Sequence, residues 1–203
     1  MRESVGENPA ASTETLTILM CDADPQVRSS VAKNRATPAK ILAALATDAD
    51  WWVRSSVAEN PAAPVQALAD LMHDDRRGVV SSVARNSATP AEMLAILGRT
   101  HARSIVAGND ATPPGVLAAI AREYLQEYPV LRRILATNSA TPPEVLATLA
   151  RNANSQVRHC VTTNLATPAE TLAMLARDTE AEVREGALHH PNTLLEDLAP
   201  QAS

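Results

Sequence analysis

Pairs of apolar residues three positions apart return along this chain at a nearly constant interval. Leu16 and Leu19, Leu42 and Leu45, Leu68 and Leu71, Leu94 and Leu97, Leu117 and Ile120, Leu146 and Leu149, and Leu172 and Leu175 form the series, and Leu198 takes the first of these positions once more. A spacing of three puts each pair on one face of a helix, so every interval holds a helix A with an apolar stripe. A second signal follows at a spacing of four, in Val27 and Val31, Val53 and Val57, and Val157 and Val161. It marks a second, shorter helix B facing the same core. No alternating strand pattern competes with these two signals.

Polar residues punctuate the same interval. Asn8, Asn34, Asn60, Asn86, Asn109, Asn138 and Asn164, with His190 in the next slot, are separated by 26, 26, 26, 23, 29, 26 and 26 residues. Thr-Pro recurs at Thr37-Pro38, Thr89-Pro90, Thr112-Pro113, Thr141-Pro142 and Thr167-Pro168. Thr is a good N-cap and Pro fits the first helical turn, so helix A is expected to start there and run roughly ten residues. Glu92, Glu144 and Glu170 fall three residues after the Thr, the spacing of a capping box. Linkers rich in Asp, such as 21–25 and 47–50, end helix A. Asn tolerates the left-handed conformation, so it is expected to end helix B at the tight return.

A period between about 20 and 50 residues marks a solenoid whose units bury their apolar faces only against their neighbours. The expected architecture is all-α, a single repeat domain over 1–203 with a half-unit at 1–7 and about eight 26-residue units starting near the seven asparagines and His190. The half-unit is legible because Met1, Arg2, Glu3, Ser4 and Val5 align with Val27, Arg28, Ser29, Ser30 and Val31. Helix B is left open between α and 3₁₀.

Composition narrows the chemistry. The chain is 45% hydrophobic with 2% aromatics and no Phe, so its core is built from Leu, Val, Ile and Ala. A net charge of −5 argues against a general polyanion binder, although a local basic stripe stays open. Cys21 and Cys160 have no metal-type spacing and read as buried small hydrophobes in a reducing compartment. The first residues form no apolar signal segment and no apolar run reaches membrane length, which predicts a cytoplasmic protein without a membrane partner.

Val-Arg-x-x-Val-Ala, then Asn-x-Ala-Thr-Pro, then Leu-x-x-Leu-Ala resembles the variant leucine-rich repeat family over essentially the whole chain. The resemblance implies an α-helix and a short 3₁₀-type helix per unit, stacked into a right-handed superhelix, with HEAT-like α-α pairing as the near neighbour. A founding type of that family carries a cysteine-ligated iron–sulfur domain before its repeats. This chain has no such cysteine cluster, so no cofactor and no metal are carried over.

Arginine stands six residues before the repeat Asn at Arg2, Arg28, Arg54, Arg103, Arg132, Arg158 and Arg184, with Val80 as the exception. One reading is a structural ladder in which each Arg holds linker carboxylates such as Asp24 and Asp50 and carbonyls of the adjoining unit. The other is a stripe for phosphates or acidic peptides. Trp51 and Trp52 replace polar or turn residues of the other units, Pro25-Gln26 and Arg77-Gly78 among them, and are expected to be at least partly exposed. They serve either as an interface anchor or as a cover folded back over helix A.

The two irregular intervals change the linkers at 98–102 and 122–129, which carry His101, Tyr124 and Tyr128. A local groove at these residues is one expectation and neutral loop variation the other. No catalytic motif is present in the order of residues. The chain therefore reads first as a non-catalytic protein-interaction scaffold with a protein or peptide partner. Binding along the arginine ladder to nucleic acid or a phosphate ligand is the alternative, disfavoured by net charge. An enzyme or biosynthetic accessory with a pocket at the central repeats is the third reading. Weakly capped ends make a homodimer a further expectation.

Overall fold

The computed structural model describes residues 1–193, which fold into fifteen α-helices with no strand among them. Leu198 and most of the final segment from Thr193 to Leu198 lie outside the described residues. The chain divides into two compact units, Met1–Ala111 and Thr112–Ser203. The division falls after the Asn109 that separates the short interval from the long one. Among the described residues no helix is long and apolar enough to cross a membrane.

The first unit begins with α1 (Arg2–Glu7), a lone helix B, and continues with A and B helices in alternation: α2 (Thr13–Leu19), α3 (Pro25–Lys33), α4 (Ala39–Leu45), α5 (Trp51–Glu59), α6 (Val65–Leu71), α7 (Arg77–Arg85), α8 (Ala91–Leu97) and α9 (Arg103–Gly108). The second holds α10 (Pro114–Tyr124), α11 (Pro129–Thr137), α12 (Pro143–Leu149), α13 (Ser155–Thr163), α14 (Ala169–Leu175) and α15 (Ala181–Leu188). Each unit is a helical repeat solenoid.

The proportions of the two helices reverse the expectation. Helix A spans seven residues in α4, α6 and α8, not ten, whereas helix B is a nine-residue α-helix in α3, α5 and α7. A two-turn helix is marginal in isolation, so helix A exists because its leucines are buried. Leu42, Leu68, Leu94, Leu117, Leu146 and Leu172 are all completely buried.

The helix starts also differ. The cap residue is the Pro itself at Pro38, Pro90, Pro142 and Pro168, with no side-chain capping bond, so no capping box forms at Glu92, Glu144 or Glu170. The Thr is buried and turned backwards. Thr37, Thr89, Thr141 and Thr167 each donate a hydroxyl to the carbonyl six residues earlier, on Val31, Val83, Leu135 and Val161, at 2.6–2.7 Å. That bond satisfies an orphan carbonyl at the end of helix B and ties it to the start of helix A.

Stacking rests mainly on helix B against the next helix B, α1 on α3, α3 on α5 and α5 on α7 in the first unit, α11 on α13 and α13 on α15 in the second. Two residues before the repeat Asn stands a fully buried small residue, Ala32, Ala58, Ala84, Ala107 or Ala136, which lets neighbouring helices approach closely. The exception is offset locally. Thr162 takes that slot in α13, and the facing residue of α15 is Gly186, where an added Cβ would collide with Thr162 Oγ1 and lie 3.1 Å from its Cβ. Buried hydroxyls pair across successive helices, Ser29 with Ser56 at 2.8 Å and Ser55 with Ser82 at 3.0 Å.

Candidate functional site

The repeat asparagine is structural, by a geometry other than the expected left-handed cap. It is extended, not left-handed: Asn34 has φ −66° and ψ 119°, and no described non-glycine residue has positive φ. The side chain does the work. Asn60 Nδ2 donates to Ala32 O at 2.7 Å and to Asn34 O at 3.0 Å, and its Oδ1 accepts from the Ala62 N–H at 2.9 Å. Asn34, Asn86 and Asn109 repeat the pattern in the first unit, and Asn164 repeats it on Ala136 and Asn138 in the second. Every such amide donates to two carbonyls of the preceding repeat and so ties consecutive repeats together. His190 imitates it, with Nε2 3.1 Å from Asn164 O and Nδ1 accepting from Asn192 N at 3.0 Å.

The arginine ladder is engaged with carboxylates other than those expected. Arg28 Nη1 donates to Asp22 O and Ala23 O of the linker before it, while Nε and Nη2 clasp Asp48 of the next linker at 2.7 and 2.9 Å. Arg54 does the same with Asp74, and Arg158 with Asp178. Asp24 and Asp50 instead cap α3 and α5 by accepting from Gln26 N and Trp52 N. Asp48, Asp74 and Asp178 also accept the N–H two residues on, from Asp50, Arg76 and Glu180. Burial pushes the Asp48 and Asp74 carboxyls up, but the facing guanidinium and backbone N–H outweigh it and hold both below the ordinary range. At Asp178 the Arg158 bond is the largest cause, again downward.

The other arginines of the ladder vary. Among the described residues Arg132 bonds carbonyls alone, Leu125 O and Gln126 O, at 3.1 Å. Twenty residues on from it stands the neutral Asn152, and twenty on from Val80 stands Thr100. Arg103 sits half-buried at the start of α9. Arg2 reaches Asp22 at 3.0 Å, and Arg184 bonds Asp178 O and Thr179 O.

Trp51 and Trp52 open α5, and both are exposed, to 40% and 48%. Their rings meet edge to face, with centroids 5.5 Å apart and planes at 88°. Trp51 lies along Gly78 of α7, where even an added methyl would stand 3.5 Å from its Cζ3. Lys33, at the end of α3, places Nζ 5.1 Å from the Trp52 ring centroid, a cation–π contact. Lys33 and the contact at Gly78 join the tryptophans from the repeats on either side. Their signal was alignment of adjacent repeats rather than proximity along the chain.

The irregular linkers hold their residues in separate units. His101 is exposed in the first. Tyr124 and Tyr128 are in the second, edge to face with centroids 6.1 Å apart. The second unit also has an open groove of about 440 Å³ along α10 and α12, lined by Ala118, Ala121, Arg122, Leu125, Glu144 and Val145 among others. Neither tyrosine lines it. Cys21 is exposed, contrary to the expectation of burial: it stands in the turn after α2, past the buried Leu16 and Leu19. Cys160 is half-buried, and burial pushes its thiol up despite nearby Arg133.

Residues 51–76 match the family model described as leucine rich repeat variant. Among solved structures, one described as a leucine-rich repeat variant with a novel repetitive protein structural motif aligns at a TM-score of 0.61 and 26% identity, over 90% of this chain and 73% of that one. An engineered protein aligns at a TM-score of 0.37 and 19% identity, over 92% and 96% of the respective chains. No curated protein matches.

Proposed function

Given a helical repeat protein of the leucine-rich repeat variant type, we propose that its work is to bind another protein in the cytoplasm, with the Trp51–Trp52 step as the contact. The observation that carries this reading is the exposure of two adjacent indoles in slots that other repeats fill with Pro25 and Gln26 or with Arg77 and Gly78. Exposed large aromatics on a rigid helix are favourable anchors, because they bury much area with little loss of side-chain freedom. The repeated polar residues offer less. Asn60 and its counterparts spend their amides on buried carbonyls, and Arg28, Arg54 and Arg158 are closed on carboxylates. A phosphate would have to displace those carboxylates, which weighs against the arginine ladder as a nucleic-acid surface.

The test is affinity capture with the whole immobilised chain and with a Trp51→Ala, Trp52→Ala double variant of unchanged circular dichroism. A protein retained by the first and lost by the second is the expected result. Identical retained sets would overturn the reading.

A further inference from the structure

Resting on that reading, we infer that the Trp51–Trp52 step takes an acidic peptide segment of the partner, its carboxylates meeting Lys33, Arg35 and Arg77 while an apolar side chain rests on the indoles. The chain as a whole carries a net charge of −5, yet the cations around this step are not neutralised as those of the ladder are. Among the described residues no carboxylate lies within 4 Å of Lys33, Arg35 or Arg77, and all three are exposed. Arg28, on α3 with Lys33, and Arg54, on α5 with the tryptophans, are each closed on an Asp.

The placement of these cations follows the tryptophans. Lys33 lies over the Trp52 ring, and Arg77 adjoins the Gly78 along which Trp51 lies. Lys33 and Arg35 line a shallow depression of about 210 Å³ together with Ser56, Glu59, Asn60 and Pro61. The carboxylates nearest in sequence already have partners: Asp74 and Asp75, just before Arg77, both meet Arg54. Glu59 accepts from the Ser82 hydroxyl at 3.1 Å, and Asp50 accepts from the backbone N–H of Trp52 at 2.8 Å. What faces outward is an aromatic step flanked by positive charge, whose complement is an apolar residue among acidic ones. A basic segment would be repelled by the same cations.

Trp51 and Trp52 are the two tryptophans of the chain, so intrinsic tryptophan fluorescence reports this surface alone. The experiment titrates the full chain with three fluorescein-labelled peptides built around one leucine, flanked by Asp and Glu, by Asn and Gln, or by Lys and Arg, and with a labelled oligothymidine. Indole quenching and label anisotropy are both read, at low and at high salt. The acidic peptide is expected to bind at least about tenfold more tightly than the neutral one, and to weaken as salt screens the charges. Trp51→Ala with Trp52→Ala should abolish the anisotropy change, and Lys33→Glu with Arg77→Glu should weaken it without altering the fold.

Equal binding of acidic and neutral peptides at the tryptophans would overturn the acidic preference and leave the protein-binding reading standing. Tighter binding of oligothymidine would overturn it in favour of nucleic acid. No response to any peptide would overturn it too, and the capture experiment with the double variant then decides separately whether the tryptophans bind a partner at all.

Discussion

Arg54 closes on Asp74, twenty residues further along the chain, with Nε 2.6 Å from Oδ2 and Nη2 3.1 Å from Oδ1. The same guanidinium donates to the carbonyls of Asp48 and Ala49 in the linker that precedes its own helix. One side chain thus ties two consecutive linkers, and both charged groups are largely withdrawn from water, the Arg54 side chain to 16% exposure and Asp74 to 7%.

Removing Arg54 leaves the Asp74 carboxylate, largely withdrawn from water, without its guanidinium. Arg54→Ala is expected to cost roughly 2 kcal/mol, after allowance for the solvent that still reaches the pair. Arg132→Ala, whose guanidinium bonds carbonyls alone, should cost clearly less. Urea unfolding of the whole chain followed by circular dichroism compares them. Equal losses would show that the carboxylate adds nothing to the clamp.

The depressed carboxyls of Asp48, Asp74 and Asp178 fix the sign of the acid response. An unfolded Asp titrates near pH 4, by roughly the model-peptide value, and in the folded chain these groups hold their protons less tightly than that. Their stabilisation is therefore complete above the unfolded value and disappears as pH falls through the folded one. Thermal unfolding between neutral pH and pH 3 should show a drop in midpoint that shrinks in an Asp48→Asn, Asp74→Asn, Asp178→Asn variant. That variant should itself be less stable at neutral pH.

Interior and terminal asparagines should behave differently although they are the same letter. Asn60→Ala removes the side-chain donor of the buried Ala32 carbonyl and one of the two donors to Asn34 O, which keeps the Thr37 N–H, and is expected to cost roughly 2 kcal/mol. Asn8 is exposed and its side chain is bonded only to Ala10 N, so Asn8→Ala should fall within about 0.5 kcal/mol of wild type. Denaturant midpoints for the two variants check this, and similar losses would contradict the ladder.

Gly186 and Thr162 are expected to be coupled. A methyl at Gly186 collides with Thr162 Oγ1, so Gly186→Ala should destabilise by about 1–3 kcal/mol. Thr162→Ala restores the small residue found in the other repeats and should rescue most of that loss. A double-mutant cycle read by urea unfolding measures the coupling, and simple additivity would refute the contact.

The period, the all-α class and the two helices of each interval were legible because each is a local pattern repeated many times. The clamp was legible in principle as well. Asp stands twenty residues after Arg2, Arg28, Arg54 and Arg158, whereas Thr100 follows Val80 and Asn152 follows Arg132. Thr-Pro is ambiguous in sequence because a hydroxyl before a helix has two acceptable uses, capping the turn ahead or bonding the carbonyl behind. Thr37 chooses the second, since that carbonyl is buried and the Pro already starts the helix.

The sequence by itself determined what depends on neighbours along the chain: helix positions, the apolar face of each, and the slots where Trp51 and Trp52 break the rule. Tertiary structure alone decided what depends on the next repeat. It paired Arg28 with Asp48 and not Asp24, turned the Asn60 amide onto Ala32, and set Lys33 over Trp52. The physical reason is that buried carbonyls and charges must find partners within about 3 Å. In a stack of short helices those partners stand one repeat away in sequence, at distances no local pattern encodes.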